Sequence, residues 1–90
     1  MKFVIAVFSS RNETLYFANM FKTNGLYADI INTPKEAGQA CGISVRFEER
    51  LLPVAKNFLN IKPFRSFYGF YRVQINGMRR TVEAISQCAI

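Results

Sequence analysis
The sequence predicts an α+β domain, a ferredoxin-like βαββαβ sandwich in which two helices cover one face of a four-stranded antiparallel sheet, with a C-terminal extension. Three observations carry this. Apolar stretches of strand character stand near both ends, at Lys2–Phe8 and Phe67–Ile75. Two stretches with helical periodicity lie between them, at Ser10–Asn24 and Leu51–Leu59, and two shorter strand-like stretches, Tyr27–Ile31 and Ile43–Phe47, separate the helices. Residues 1–77 are read as the domain and residues 78–90 as a tail.

Lys2–Phe8 is a continuous apolar run rich in Val, Ile and Phe, as in a strand covered on at least one face. A charge followed by an apolar run also opens a signal peptide, but this run is too short and stops at Ser9-Ser10. Ser10 followed by Glu13 is a capping-box signature, after which Thr14, Phe17, Ala18 and Phe21 share one helical face until Gly25. Tyr27–Ile31 reads as a short strand. Thr33 can cap, Pro34 suits a first helical position and Glu36 falls at the third. A second capping box therefore predicts a short helix ending near Ala40, with Cys41 at its end.

Gly42 supplies permissive backbone after Cys41, and Ile43, Val45 and Phe47 then alternate with Ser44, Arg46 and Glu48 as in a half-buried strand. Pro53 fits the first turn of a helix whose Leu51, Val54, Ala55, Phe58 and Leu59 form a core face. Lys62-Pro63 breaks the chain, and Phe67–Ile75 is a long aromatic strand stopped by Asn76-Gly77. In the tail, Val82, Ile85 and Ala89 stand at loose helical spacing, which predicts a weak helix or an arm ordered by a partner. With right-handed crossovers, the end of the first strand with Arg11, the Cys41 loop, and the connection carrying Lys62 and Arg65 come out at one end of the molecule.

Ninety residues make one domain with one core, and nine Phe with four Tyr fill it with bulk. His is absent, which removes Ser/His and Cys/His pairs, a neutral-pH imidazole base and the common nitrogen ligand for zinc. Neither a metal nor a cofactor is expected. No stretch approaches the roughly 20 apolar residues of a membrane span. Two cysteines far apart, without a CxxC pair, make a poor disulfide framework and fit a reducing cytoplasm. A formal charge of +6 favours acidic partners, although its basic residues are spread along the chain as on an ordinary solvated surface.

The Thr33-Pro34 start, the Cys41-Gly42 pair and the following strand with Arg46 and Phe47 resemble a family of small bacterial proteins described as selenium/sulfur carrier-like. The resemblance extends from Lys2 to Ile75, is fainter at Gly69-Phe70-Tyr71-Arg72-Val73, and is absent after Gly77. It implies a cytoplasmic protein whose thiol at Cys41 accepts sulfur or selenium from a donor protein and passes it to an acceptor: a carrier and not a stand-alone enzyme. Gly42 would let the donor's persulfide approach, with Thr33 and Pro34 shaping the loop and Lys35 and Arg46 as electrostatic support. Ala40 stands where the family often has a small hydroxyl residue, and this chain is unusually basic.

A carrier thiol reacts as thiolate and so needs exposure and positive surroundings. At the end of a short helix Cys41 would have that helix's dipole against it; the amino end of the first helix, with Arg11, Lys35, Lys62 or Arg65, would act the other way. The residue pattern alone favours a small buried hydrophobe, and it is the family resemblance that turns the reading toward a carrier thiol. Cys88 lies near the chain end and is a less specific thiol with a resolving role open to it.

The alternative function is a non-catalytic binding module. Arg65, Phe67, Tyr68, Phe70, Tyr71 and Arg72 interleave rings and guanidinium groups, a surface for nucleic acid or an acidic protein. An RNA-recognition motif needs its stacking rings on the first and third strands, and Ile43–Phe47 lacks the pair. Half the rings of the long strand must face the core in any case. An uncovered ring-bearing sheet face points first to a homodimer, and only then to nucleic acid.

Overall fold
The computed structural model describes residues 1–38 and 41–85. Its elements are β1 (Lys2–Phe8), α1 (Arg11–Thr23), β2 (Asp29–Asn32), β3 (Ile43–Phe47), α2 (Leu52–Ile61), β4 (Phe67–Asn76) and β5 (Arg79–Ala84), with single 3-10 turns at Lys35–Ala37 and Glu49–Leu51. The strands form one sheet in the order β2-β3-β1-β4-β5, antiparallel at every pairing. The fold is thus α+β, with two helices and a sheet of five strands where four were expected.

β1 is the middle strand, and Val4 to Phe8 are without solvent exposure. On one face Val4, Ala6 and Phe8 pack against Phe17 and Phe21 of α1 and Ala55 and Phe58 of α2, with Phe47 and Phe70 from neighbouring strands. Both helices therefore lie on the same face, joined by rings: Phe17 meets Phe8 at 5.2 Å and Phe21 at 5.5 Å, and Phe21 meets Phe58 edge-on at 5.1 Å. On the other face Phe3, Ile5, Val7 and Val73 are buried with Ala37 of the 3-10 turn, and Ile31, Tyr71, Ile75 and Val82 pack around them. That turn is fastened across the face by Glu36, whose carboxylate takes a 2.7 Å bond from Arg80 of β5. The centre of the face on which a sheet-to-sheet dimer was expected is thus already covered within one chain.

Two expectations are corrected. The Thr33–Glu36 capping box does not form: Pro34 precedes the single turn Lys35–Ala37 without a side-chain cap, and Glu36 pairs with Arg80 instead. The Thr33 hydroxyl meets Ser44 Oγ at 2.6 Å across the end of the β2–β3 ladder, and Gly38 at φ +86° stops the turn before it becomes a helix. The tail is not helical over Arg79–Ala84. Gly77, at φ +62°, and Met78 reverse the chain so that Asn76 faces Arg79, and β5 continues the ladder as far as Tyr71 opposite Ala84. Val82, read as part of a helical face, pairs with Val73 and packs with it.

Truncating Phe17 to Ala empties the site where rings from β1, α1 and α2 meet. The expected loss is about 3–5 kcal/mol of unfolding free energy, measured by urea denaturation. A loss below about 1 kcal/mol would show that this ring cluster does not hold the helices to the sheet.

Candidate functional site
β3 and β4 both run antiparallel to β1, on either side of it, so both begin where β1 ends. α1 starts there too, with Ser10 as N-cap, its hydroxyl accepting from the Glu13 amide at 3.2 Å. The convergence of three connections expected from the sequence is therefore a consequence of the ladders. The residue just before β3 is carried to the first turn of α1, and that residue is Cys41.

The Cys41 amide donates to the Phe8 carbonyl at 3.3 Å. Its Sγ lies 3.5 Å from Thr14 Oγ1 and 3.6 Å from the Ile43 carbonyl oxygen, and the residue is half-buried. Thr14 is fully buried, and its hydroxyl donates to the Ser10 carbonyl at 2.9 Å. With that proton committed, the Thr14 oxygen is free to accept from the thiol. The neutral thiol thus has two oxygen acceptors for one S–H. A thiolate would have to recruit the Thr14 hydroxyl proton away from Ser10. Cys41 lies beyond Gly38, not at a helix end, so no carboxyl-terminal helix dipole of its own opposes a negative charge there.

Gly42 adopts φ +99°, a region that favours glycine, and a Cβ built on it meets nothing within 4 Å. A side chain there would stand in open space beside the thiol. Thr33 secures the same corner, its amide donating to the Gly42 carbonyl at 3.0 Å, and Pro34 is buried beneath it.

On the opposite flank of β1, Ser66 closes the α2–β4 connection onto α1. The Ser9 amide donates to the Ser66 carbonyl, the Ser10 amide to Ser66 Oγ at 3.3 Å, and the Ser66 hydroxyl to Glu13 Oε1 at 2.6 Å. The Ser10–Glu13 capping box is thus completed through Ser66, not directly. Bonds from the Ser66 hydroxyl and amide, then from the Arg65 amide, with the charge of Lys62 nearby, hold the Glu13 carboxyl below the usual range. Lys62 Nζ stands 5.0 Å over the Tyr16 ring and 5.5 Å over Phe64.

The other residues singled out from the sequence are more scattered. Arg11 and Arg65 are exposed at this end. Lys35 is exposed on the 3-10 turn beneath the other sheet face, and Arg46 is engaged by Asp29 at 2.9 Å and lies over the Phe3 ring. Arg46 pairs with Ile5, three ladder positions back from the β1 end that holds the thiol, and neither Lys35 nor Arg46 contacts Cys41. Cys88 lies outside the described residues. Sequence reasoning missed Thr14 as a site residue because it fell on an apolar helical face. A hydroxyl on one helical face with Phe17, Ala18 and Phe21 was the available signal. Nothing in the sequence marked Ser66.

Surface grooves among the described residues include one of about 350 Å³ between α1 and β2 along Leu15, Ala18 and Ile30, and one of about 220 Å³ by Phe3, Arg46 and Glu48. Neither includes Cys41. Among the described residues no three His, Cys, Asp or Glu side chains gather as metal ligands, and no helix is long and apolar enough to cross a membrane.

Cys41 is thus held at the junction of a strand end and a helix start, beside Gly42 with open space around it. The chain belongs to the family described as "Putative Se/S carrier protein-like", whose model matches residues 3–68. The match includes Thr14, Thr33, Cys41, Gly42 and Ser66, and excludes β5 and Cys88. No curated protein and no solved structure matches the chain.

The Glu13 network has a pH signature. A carboxyl whose folded-state value is depressed stabilises the fold above its unfolded-state value, and that contribution is lost as pH falls through the folded one. Glu13→Gln is therefore expected to be less stable by about 1 kcal/mol near neutrality. The gap from wild type should narrow below about pH 4 when both are unfolded in urea across pH. An unchanging gap would mean that the charge of Glu13 contributes nothing.

Proposed function
We propose that this protein is a sulfur or selenium carrier, with the Cys41 thiol as its acceptor group, and not a stand-alone enzyme. The observation that carries the reading is the placement of Cys41 within the family-matched segment. It is half-buried at the first turn of α1 with Thr14 Oγ1 3.5 Å from Sγ, and Gly42 keeps one approach clear. A small hydrophobe filling space would have no need of two oxygen partners.

In the transfer, the Cys41 thiolate attacks the terminal sulfur of a persulfide on a donor protein. The bond from Cys41 Sγ to that sulfur forms as the donor's S–S bond breaks, and the donor cysteine leaves as a thiolate with the bonding pair. The transferred sulfur stays protonated or loses its proton to solvent, and nothing is oxidised or reduced overall. An acceptor thiolate repeats the step in reverse, and selenium in the terminal position passes by the same exchange. Thr14 acts as a positioning residue: its hydroxyl accepts from the resting thiol and, by rotating away from Ser10, donates to the thiolate. A reducing cytoplasm is the compartment in which one free thiol serves this role.

Intact mass after incubation of the reduced protein with a cysteine desulfurase and cysteine tests the reading. Wild type and Cys88→Ser should gain one sulfur and Cys41→Ser none. No addition to wild type, with Cys41 slow toward alkylating reagents, would make the thiol a packing residue. Thr14→Val should slow loading by roughly threefold to tenfold, the worth of one hydrogen bond, and Thr14→Ser should restore it. Equal rates in all three proteins would remove Thr14 from the mechanism.

A further inference from the structure
We infer that the end of the molecule bearing Cys41 is a docking surface for an acidic segment of the protein that gives or takes the sulfur, an inference that rests on the carrier reading and names its partner's chemistry.

The charge pattern carries it. All six carboxylate side chains are engaged within the chain. Asp29, Glu36 and Glu48 pair with Arg46, Arg80 and Arg50, Glu49 and Glu83 share Arg72, with Lys2 also near Glu49, and Glu13 is turned onto Ser66 and the Arg65 amide. Of the twelve Lys and Arg side chains, five take part in those pairs, leaving seven with no ion pair among the described residues. Three of the seven, Arg11, Lys62 and Arg65, stand around the opening turns of α1. Arg11 is its first residue, the Arg65 amide binds Glu13, and Lys62 lies over Tyr16. Cys41 meets the same helix at Thr14. Residues 11 to 16 rise only about 8 Å along a helix, so the thiol, on the β3 flank of β1, and Lys62 and Arg65, on its β4 flank, lie at the same end of the molecule. Part of the excess of +6 therefore lies at the end that bears the thiol, with Glu13 as the one carboxylate described among these cations.

The aromatic side chains favour an acidic protein over a nucleic acid. Stacking on bases needs ring faces open to solvent. Phe67 and Phe70 are packed on the helix side, and Tyr71 is half-buried on the other face. At this end the exposed rings are Tyr16, 52% accessible but with Lys62 over it and Phe64 edge-on at 5.9 Å, and Tyr68, 51% accessible at the β1–β4 bulge. That leaves Tyr68 as one open ring, a small stacking platform beside three cations, and cations recognise carboxylates at a protein rim chiefly by steering the encounter.

The test compares two triple variants of the full chain, each with formal charge +3 after loss of three cations: Arg11→Gln/Lys62→Gln/Arg65→Gln, and as control Lys22→Gln/Lys56→Gln/Arg79→Gln. The probe is a glutamate-rich peptide, titrated into labelled protein by NMR, with a single-stranded oligothymidylate of equal charge in a parallel series. The wild type should show peptide-induced shifts confined to residues 9–16, 41–43 and 62–68. Affinity should fall roughly tenfold in the first triple variant and stay within about twofold in the control. Equal weakening in both variants, shifts elsewhere, no peptide binding, or tighter binding of the oligonucleotide would each overturn the inference. None of these outcomes depends on sulfur loading, so a failure of the carrier reading would register separately, in the mass measurement.

Discussion

A strand with no dry side to spare dictates this structure. Val4 to Phe8 are wholly buried, so both faces of β1 need cover, and ninety residues must provide it. The helices spend their rings on one face: all the phenylalanines except Phe3 belong to that side. The other face has no helix left to cover it. It is closed by a single 3-10 turn that brings Ala37 down onto Ile5 and Val7, by the flanking strands, and by the Glu36–Arg80 pair at its rim. The 3-10 turn that precedes Cys41 in the chain is thus part of the core's cover.

The site follows from the same strand. Antiparallel pairing on both sides of β1 makes β3 and β4 start at its end, and the chain leaving β1 turns directly into α1. A strand end, a helix start and two strand starts share one corner, and their backbone groups satisfy one another: Phe8 takes the Cys41 amide, and Ser66 takes the Ser10 amide while bonding Glu13. No buried side-chain nitrogen or oxygen among the described residues lacks a partner. The thiol is positioned by ladder geometry on one side and a buried hydroxyl on the other, a firmer placement than the end of a short helix would give.

Much of this was legible because it depends on local pattern. The apolar run of β1, the Thr14, Phe17 and Phe21 face of α1, and the Ala55 and Phe58 face of α2 are set by periodicity that burial then used directly. β5 was not legible. Its residues are mostly exposed, so no alternation separates an inner from an outer side, and Val82, Ile85 and Ala89 mimic helical spacing. The Asn76-Gly77 pair carried the hairpin signal and was read only as a stop. Thr33 to Glu36 has the letters of a capping box, but the nearer claims on those side chains come from Ser44 and Arg80, 11 and 44 residues away in sequence. Local rules fail where a long-range partner outbids them. Cys41-Gly42 was visible as a motif, and its coupling to Thr14 was not, since that contact exists only once β3 has paired with β1.

The pairing of Cys41 with Thr14 bears on whether a carrier can let go. A thiolate locked in place by a strong cation would be a poor handover point, because the group that stabilises it on arrival also resists its departure. Here the described contacts of Sγ are a hydroxyl and a carbonyl at 3.5 and 3.6 Å, and the cations stand out at the surface. The Thr14 hydroxyl can donate to sulfur only by giving up its neutral bond to the Ser10 carbonyl, worth about 0.5–1.5 kcal/mol. On the carrier reading, the bond to a charged sulfur outweighs the one given up by only about 1–2 kcal/mol, so loading and unloading would be decided chiefly by the relative stability of the persulfides on donor and acceptor. On the same reading, surface cations would act on which proteins arrive and how fast, the step in which long-range charge is most effective. Recognition and transfer would then rest on different groups at one end of the fold.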